Sequence, residues 1–292
     1  MKKLKVYSRE APTDCAWKNE FQGDEVIWLG AEFEFGSLFS YRIPNFSPSF
    51  AISSPIPGPS AIKLALVSSA IEATGNIDYG KKMFDMIKTS EVLVELPEKV
   101  AVSRQLIKRR KQELIAKKMQ KGKSKIGKCS KCGQEKEIWE IDGELICKDC
   151  GENSLISTFG IREYVHFSGP VKIFILVQDE FERDIRNQLA RIRQFGTSDS
   201  IVFCRKIENA EPPRNKCAQP IDVIANYGEV QLPKSKMILI LIDIAKNSSF
   251  EDINPYTKGN RKDAFVLRPY LFPLIEEKMG KNWMIYKLEP LA

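Results

Sequence analysis

Two short cysteine motifs constrain this chain more than any other feature of its sequence. The run Cys129-Ser130-Lys131-Cys132-Gly133 has a counterpart in Cys147-Lys148-Asp149-Cys150-Gly151, and fourteen residues separate the two inner cysteines. In a tetrahedral thiolate zinc site, two sulfurs three positions apart turn back onto one ion, and the following glycine can adopt a positive φ. The spacing therefore predicts one Zn²⁺ ion bound by Cys129, Cys132, Cys147 and Cys150. A redox CxxC pair and four unligated thiols are the alternatives.

The segment between the two motifs is typical of a β-hairpin. It reads EIWEIDGELI, with Asp142-Gly143 at the turn. The hairpin and the paired cysteines together predict a zinc ribbon. Four thiolates leave no open coordination position, so we expect the ion to be structural and not catalytic. Lysines around the ribbon indicate a phosphate-bearing partner: Lys123, Lys125, Lys128, Lys131 and Lys136.

The remaining cysteines do not suggest a disulfide framework. The total of seven is odd, and Cys15, Cys204 and Cys217 are scattered, which favours a reducing compartment. The longest apolar runs, such as Met237–Ile242, have about six residues against the ~20 needed to cross a bilayer. No apolar run follows the basic N-terminus, so no secretory signal is expected. We therefore expect a cytoplasmic protein with no membrane partner.

Positive charge is concentrated in one part of the chain. Between Arg104 and Lys136, thirteen Lys or Arg residues stand against Glu113 and Glu135, a surplus of eleven charges, whereas the whole chain carries +7. Within this segment, Leu106–Met119 is either a helix or a long basic arm, and a solvated face without a partner is the bland alternative. Five cations at its start are candidate phosphate contacts: Arg104, Lys108, Arg109, Arg110 and Lys111.

The elements before the basic segment are a strand, a loop, two helices and a second strand. Mixed alternation after Asp24 predicts the first strand. Residues Pro44–Ser60 contain five prolines and are expected to form an extended surface loop. Ser60 is the expected N-cap of the next helix, and Gly75 its end. The remaining elements are a helix over Ala61–Ala73, a helix over Tyr79–Ile87 and a strand over Val92–Leu96.

The pattern after the ribbon adds strands around one further helix. The predicted elements are strands over Thr158–His166, Val171–Val177 and Ile201–Lys206, a helix over Glu180–Gln194, a last strand over Met237–Ile244 and a mixed tail over Asp263–Lys287. This order predicts an α+β fold of the ferredoxin-like or RRM-like class, with an antiparallel sheet. We expect residues 1–103 and 153–292 to form this core, and residues 104–152 to be an inserted basic arm with the zinc ribbon.

Two regions carry a resemblance to a known family. The first is a strand that ends in Phe39-Ser40-Tyr41-Arg42-Ile43-Pro44, followed by the Pro-rich loop with Pro55-Ile56-Pro57-Gly58-Pro59-Ser60 and a helix of small residues. The second is Ile192-Arg193-Gln194-Phe195-Gly196-Thr197-Ser198-Asp199-Ser200, which is similar to a helix-end, Gly, Ser pattern that leads into the last core strand. Together they resemble the CRISPR-associated RAMP subunits of the Cas five family.

This resemblance implies a fold, a ligand and partners. The fold is an RRM-like core whose basic thumb is here elaborated by the zinc ribbon. The ligand is the 5′ handle of a CRISPR RNA in a type I Cascade surveillance complex that serves antiviral defence. The implied partners are the backbone RAMP subunits and the large subunit of that complex, with target DNA as a further candidate.

Planar and charged side chains beside the Pro-rich loop are candidate RNA contacts. Single-stranded RNA is held by cations on its phosphates and by planar side chains on its bases. Tyr41, Arg42 and Phe46 supply planes and charge, although packing aromatics are an equal alternative for Tyr41 and Phe46. Ser60 and Lys63, at the start of the first helix, complete the set, because a helix N-terminus favours phosphate.

Three functions compete at this point. The leading one is a noncatalytic RNA-binding subunit. The second is a metal-independent endoribonuclease that processes precursor CRISPR RNA, for which His166 is the candidate residue, on the same strand face as Tyr164. A packed or edge histidine is the alternative for His166. The third is a DNA-binding factor that reads its target through the zinc ribbon.

Overall fold

The computed structural model describes residues 25–44, 50–112, 123–129, 132–141, 144–147, 155–221, 237–254, 256 and 263–291. The chain divides into two compact units, the first formed by residues 1–46, 51–104 and 163–292, the second by residues 47–50 and 105–162. Phe46, Cys150 and Gly151, to which the sequence assigns roles, lie outside the described residues. In the described part of the chain, no helix has both the length and the apolar character needed to cross a membrane.

The described residues are mainly strands. In chain order the strands are β1 Val26–Phe35, β2 Tyr41–Arg42, β3 Phe50–Ala51, β4 Ser53–Ser54, β5 Val92–Glu95, β6 Lys99–Gln112, β7 Lys123–Lys128, β8 Glu135–Ile141, β9 Glu144–Cys147, β10 Leu155–Phe167, β11 Val171–Gln178, β12 Val202–Asn209, β13 Cys217–Pro220, β14 Met237–Ile244, β15 Phe265–Phe272, β16 Leu274–Met279 and β17 Trp283–Leu288. The α-helices are α1 Pro59–Thr74, α2 Ile77–Ile87, α3 Glu182–Leu189 and α4 Phe250–Ile253.

Four strands and three of the helices form a ferredoxin-like core. Along the chain they follow the order β1, α1 with α2, β5, β11, α3 and β12. In the sheet the order is β12-β1-β11-β5, and every neighbouring pair is antiparallel. This is the split βαβ arrangement, so the predicted fold class is confirmed. Strands β13, β15 and β14 extend the sheet beyond β5.

Helix α1 begins and ends beside glycines. Gly58 is the N-cap, with extended backbone, and Pro59 takes the first helical position, where its missing N–H costs nothing. Gly75 closes the helix in the left-handed conformation at φ 66°, as predicted. The prediction that Ser60 is the N-cap is wrong, because Pro59 moves the start of the helix forward and places Ser60 in the first turn, buried.

The Pro-rich segment does not form the predicted surface loop over its described part. It contains the short strands β3 and β4, and Ser53, Ser54 and Ile56 are buried. Hydrogen bonds explain the burial, since the Ser53 amide donates to Glu163 Oε2 at 3.0 Å and the Ser53 hydroxyl accepts from the Tyr41 amide at 2.9 Å. A carboxylate far along the chain thus pulls this segment inward.

Three predicted boundaries after the ribbon are also wrong. Helix α3 ends at Leu189 and not at Gln194, and the chain then turns so that Gln194 pairs with Ile201 in an isolated bridge. Strand β14 is not the last strand, because β15 pairs along its whole length and two more strands follow. The sequence gives no clear pattern for the tail because most side chains of β16 face solvent.

The strand β6 settles part of the alternative for the basic segment. The chain from Lys99 to Gln112 is one continuous strand in the five-stranded sheet β16-β17-β6-β10-β3. The helix interpretation of Leu106–Met119 is therefore wrong for residues 106–112, and residues 113–119 lie outside the described residues.

Candidate metal centre and nucleic-acid interface

Three of the four predicted zinc ligands come together. The sulfurs of Cys129, Cys132 and Cys147 all lie within 4.8 Å of one another. With Zn–S bonds of about 2.3 Å at tetrahedral angles, ligand sulfurs are separated by about 3.8 Å, so the observed cluster fits a thiolate zinc site. Cys129 and Cys147 are buried while Cys132 is exposed. The fourth predicted ligand, Cys150, lies outside the described residues.

The first knuckle is closed by its own backbone. The Cys129 amide donates to the Gln134 carbonyl at 2.9 Å, and the Gly133 amide donates to the Cys129 carbonyl at 2.9 Å. Gly133 adopts a φ of 70°, which confirms the reason for a glycine after the second cysteine. This turn holds Cys129 and Cys132 on one side, and Cys147 reaches them from the end of β9, where it pairs with Ile138 of β8.

The ribbon is a three-stranded sheet of mixed charge. Strand β8 lies between β7 and β9. The register places Lys128 opposite Glu135 and Ile126 opposite Glu137. Opposite charges directly across a strand pair attract each other, so part of the positive charge of β7 is balanced inside the ribbon.

Strand β6 carries the predicted phosphate track. Lys108 is exposed on it. The backbone of Arg109, Arg110 and Lys111 continues the strand, and their side chains lie outside the described residues. Arg104 has a different role from the one predicted, since its Nε lies 2.8 Å from Glu163 Oε1, whose side chain is 3% exposed. Arg104 therefore first neutralises a buried carboxylate.

Burial argues against Tyr41 as a base-stacking residue. Its ring is 8% exposed and lies 5.1 Å from the ring of Phe39, inside an aromatic cluster. Burial raises the pKa of its hydroxyl well above the ordinary value, and a hydrogen bond from Ser200 opposes this. Arg42, the next residue, is exposed, so the pleat turns only the cation outward.

Lys63 is not available to a phosphate, which corrects its assignment as an RNA contact. Its Nζ lies 2.8 Å from Asp243 Oδ1 and donates to the Lys88 carbonyl at 3.0 Å, with 2% of the side chain exposed. Burial lowers the pKa of this lysine and the Asp243 charge opposes the shift. The ammonium joins α1 to β14, so the sequence signal for a cation at the start of the helix belongs to the core.

A cleft beside α1 contains cations that the site prediction missed. It has a volume of about 750 Å³ and lies between α1, the turn after α3 and the strands β14 and β15. Arg191 and Arg193 line it and are exposed, and Gly196 turns the chain at a φ of 75°. Ser60 lies on the opposite wall. The signal was available, because two arginines precede the glycine of the family-like pattern.

The open face of the core sheet is less suited to RNA than this cleft. Glu32 and Glu34 lie on it, and Arg205 is within 3.8 Å and 3.5 Å of their carboxylates. On the same sheet, the hydrogen bond from Lys172 lowers the pKa of Glu208 to about 2, with help from Lys206. Carboxylates that are paired and ionised at neutral pH repel phosphate, so RNA is not expected here.

The predicted pairing of Tyr164 and His166 on one strand face is confirmed. Both line a second concavity, of about 320 Å³, together with Trp283. His166 is exposed. None of the nine lining residues is Lys, Arg, Asp or Glu.

Comparisons with known proteins agree with this architecture. Residues 124–152 match the family model of a zinc ribbon domain. Over 263 residues the chain is 31% identical to the CRISPR-associated protein Cas5 of Archaeoglobus fulgidus, an alignment that covers 90% of this chain and 99% of that protein. Two solved structures are more distant: a CRISPR protein from Archaeoglobus fulgidus (TM-score 0.39, 11% identity, 90% and 92% coverage) and a chain of a CRISPR RNA-guided surveillance complex (TM-score 0.30, 12% identity, 91% of each chain).

Proposed function

The chain belongs to the Cas5 family of CRISPR-associated proteins, and on this premise we propose that it is a noncatalytic RNA-binding subunit of a type I Cascade effector complex. Its ligand is the 5′ handle of the CRISPR RNA. The family membership predicted from the sequence is confirmed. The observation that supports RNA binding best is the arginine-lined cleft beside the first turn of α1, next to Gly196.

The cleft offers what a single strand of RNA needs. Arg191 and Arg193 are exposed and supply two charges for phosphates. The first turn of α1, which starts at Pro59, presents backbone amides and the positive end of a sixteen-residue helix. Leu64, Ile242 and Phe265 give the rest of the cleft an apolar lining against which sugars and bases can lie.

The zinc ribbon has a structural role in this proposal. One Zn²⁺ ion per chain is bound by Cys129, Cys132, Cys147 and Cys150, and it supplies the folding energy that so small a sheet lacks. Residues 104–152 are the thumb, inserted between the core segments 1–103 and 153–292. The thumb meets the partners, which are the backbone RAMP subunits, the large subunit and target DNA. The reducing cytoplasm keeps the thiolates available.

RNA affinity should depend on salt through two separate sets of cations. Each lost phosphate contact lowers the log–log salt slope by about 0.7 for single strands. The Lys108→Ala, Arg109→Ala, Arg110→Ala variant should therefore lose about two units of slope, and the Arg191→Ala, Arg193→Ala variant between one and two. Fluorescence anisotropy with a labelled 5′-handle oligonucleotide at several salt concentrations measures both.

The control removes two charges elsewhere. Lys82→Ala, Lys278→Ala changes two exposed lysines of the same unit that lie outside the cleft, and should leave the slope unchanged. If the β6 variant behaves like this control, the basic strand is a solvated surface. If the arginine variant does so, the cleft is not the RNA site.

Cleavage of precursor CRISPR RNA should be absent. A metal-independent ribonuclease needs an acid and a base on one phosphodiester, and a cation to neutralise the phosphate is of great help. His166 and Tyr164 share a concavity, but no Lys or Arg lines it. Purified protein incubated in chelator with the repeat RNA of its host should leave the RNA intact. Discrete products that disappear with His166→Ala would establish the endoribonuclease alternative instead.

A further inference from the structure

The outer face of the strands β17, β6 and β10 carries three large planar side chains. Strand β6 lies between the other two, and Trp283 and Ile285 of β17 pair with Ser103 and Ala101 of β6. On β10, Glu163 and Val165 are buried, so the alternate residues Tyr164 and His166 face outward. The residues that share this outer face are Ala101, Ser103, Tyr164, His166, Trp283 and Ile285.

These side chains surround a concavity and do not cover a flat sheet. Its volume is about 320 Å³, at the lower end of the range for small-molecule pockets, and Leu38 closes one side of it. Trp283 is 44% exposed and Leu38 is 43% exposed. All nine lining residues belong to the first unit of the chain.

The indole of Trp283 is held in place by the turn before it. The Gly280 amide donates to the Trp283 carbonyl at 2.8 Å, and the Arg104 amide donates to the Asn282 carbonyl at 2.7 Å. The indole lies across the turn so closely that a Cβ added at Gly280 would be 2.5 Å from Trp283 Nε1. A ring fixed before its ligand arrives costs little ordering when the ligand binds.

We propose that this concavity binds one nucleobase of single-stranded RNA, which stacks on Trp283. The ligand class rests on the proposed function, but the site is separate from the arginine-lined cleft. An unpaired base is planar and uncharged, and base stacking on an aromatic ring tolerates any sequence. Ser103, Tyr164 and His166 offer a hydroxyl, a phenol and an imidazole to the polar edge of the base.

The charge distribution favours a base over a phosphate inside the concavity. No lining residue carries a fixed charge, so an enclosed phosphate would lack a counterion. Cations instead lie next to the lining residues in the chain, with Arg104 after Ser103 and the exposed Lys281 two residues before Trp283. A nucleotide can therefore place its base inside and its phosphate at the rim.

The test combines a protein variant with an altered RNA. Trp283→Ala should lower the affinity for the 5′-handle oligonucleotide roughly 5- to 100-fold, whereas Trp283→Phe should lose less. Gly280→Ala, which keeps the indole but displaces it, should also weaken binding. Oligonucleotides with one abasic position at a time then identify the stacked base. At that position the abasic RNA should bind wild-type protein as weakly as intact RNA binds Trp283→Ala, with little further loss when the two changes are combined.

Controls separate this inference from the proposed function. Tyr256→Ala removes an aromatic side chain that is 95% exposed and lies outside the concavity, and it should leave the affinity unchanged. Failure of the wild-type chain to bind the oligonucleotide would contradict the RNA-binding function itself. If wild-type protein binds but Trp283→Ala binds every oligonucleotide equally well, the nucleobase site is refuted. Loss of Cascade assembly with unchanged RNA affinity would also refute it, because the concavity would then receive a protein side chain.

Discussion

The Cys132→Ser, Cys147→Ser variant is expected to lose its zinc completely and to unfold the ribbon, while the ferredoxin-like core stays folded. The ribbon has little core of its own, and Ile138 is one of its few buried apolar side chains. Zinc binding to such a domain is worth about 10–16 kcal/mol, and almost all of this is folding free energy. Two lost thiolates therefore remove more free energy than the ribbon has to spare.

Metal analysis and hydrogen exchange measure the two parts of this prediction. Zinc should fall from one equivalent per chain to none. Amides of β8 and β9 should exchange rapidly in the variant, whereas those of β1 and β11, in the centre of the core sheet, should keep their protection. Cys204→Ser is the matched control, because Cys204 is a free, half-buried thiol on β12, far along the chain from the two motifs.

Two results would contradict this interpretation. Equal zinc in the double variant and in the Cys204→Ser control would mean that the metal is bound elsewhere. Zinc loss without faster exchange in β8 and β9 would mean that the ribbon folds without it. Cys217 does not complicate the measurement, since burial raises its pKa to about 12 and keeps its thiol protonated.

The sequence predicts best what depends on near neighbours. The knuckle at Cys129 needs only six residues, and its glycine adopts the expected φ. The core strand β11 is an almost continuous apolar run, and helix α1 ends at the expected Gly75. These features follow from local spacing and propensity, which act before any tertiary contact forms.

The sequence predicts poorly what depends on distant partners. Lys63 reads as a surface cation because nothing near it indicates Asp243, which lies 180 positions away and holds its ammonium. Arg104 similarly finds Glu163 at a separation of 59 positions. The strands after Ile244 escaped prediction for a related reason: Phe265–Phe272 pairs with β14, and its exposed side chains give it no clear alternation. Charged groups taken as ligand contacts thus turned out to be neutralised inside the fold.

The buried pair of Lys63 and Asp243 is the place where one substitution should destabilise the core most. Their side chains are 2% and 6% exposed, and the charged atoms are 2.8 Å apart. Asp243→Ala leaves the ammonium buried with the Lys88 carbonyl as its remaining acceptor among those seen here. Removal of one partner of a buried pair costs about 3–5 kcal/mol, because the other charge stays desolvated. Urea unfolding with zinc in excess should show a loss of this size.

The matched control is Asp85→Ala, which removes a carboxylate from another lysine pair of the same unit. Asp85 lies 2.9 Å from Lys88, but its side chain is 65% exposed. Water already solvates both charges, so the loss should stay below about 1 kcal/mol. If Asp243→Ala is no less stable than Asp85→Ala, the buried pair contributes nothing beyond a surface contact.

A double variant separates the unpaired charge from lost packing. Lys63→Met with Asp243→Leu replaces the ion pair by apolar side chains of similar size, and such replacements are often neutral or stabilising by about 1–4 kcal/mol. Arg268 loses its partner at 3.1 Å, but its side chain is 27% exposed and can turn to water. The double variant should therefore recover most of the stability that Asp243→Ala loses. If it remains equally unstable, the loss comes from packing between α1 and β14, and the desolvated ammonium is not its cause.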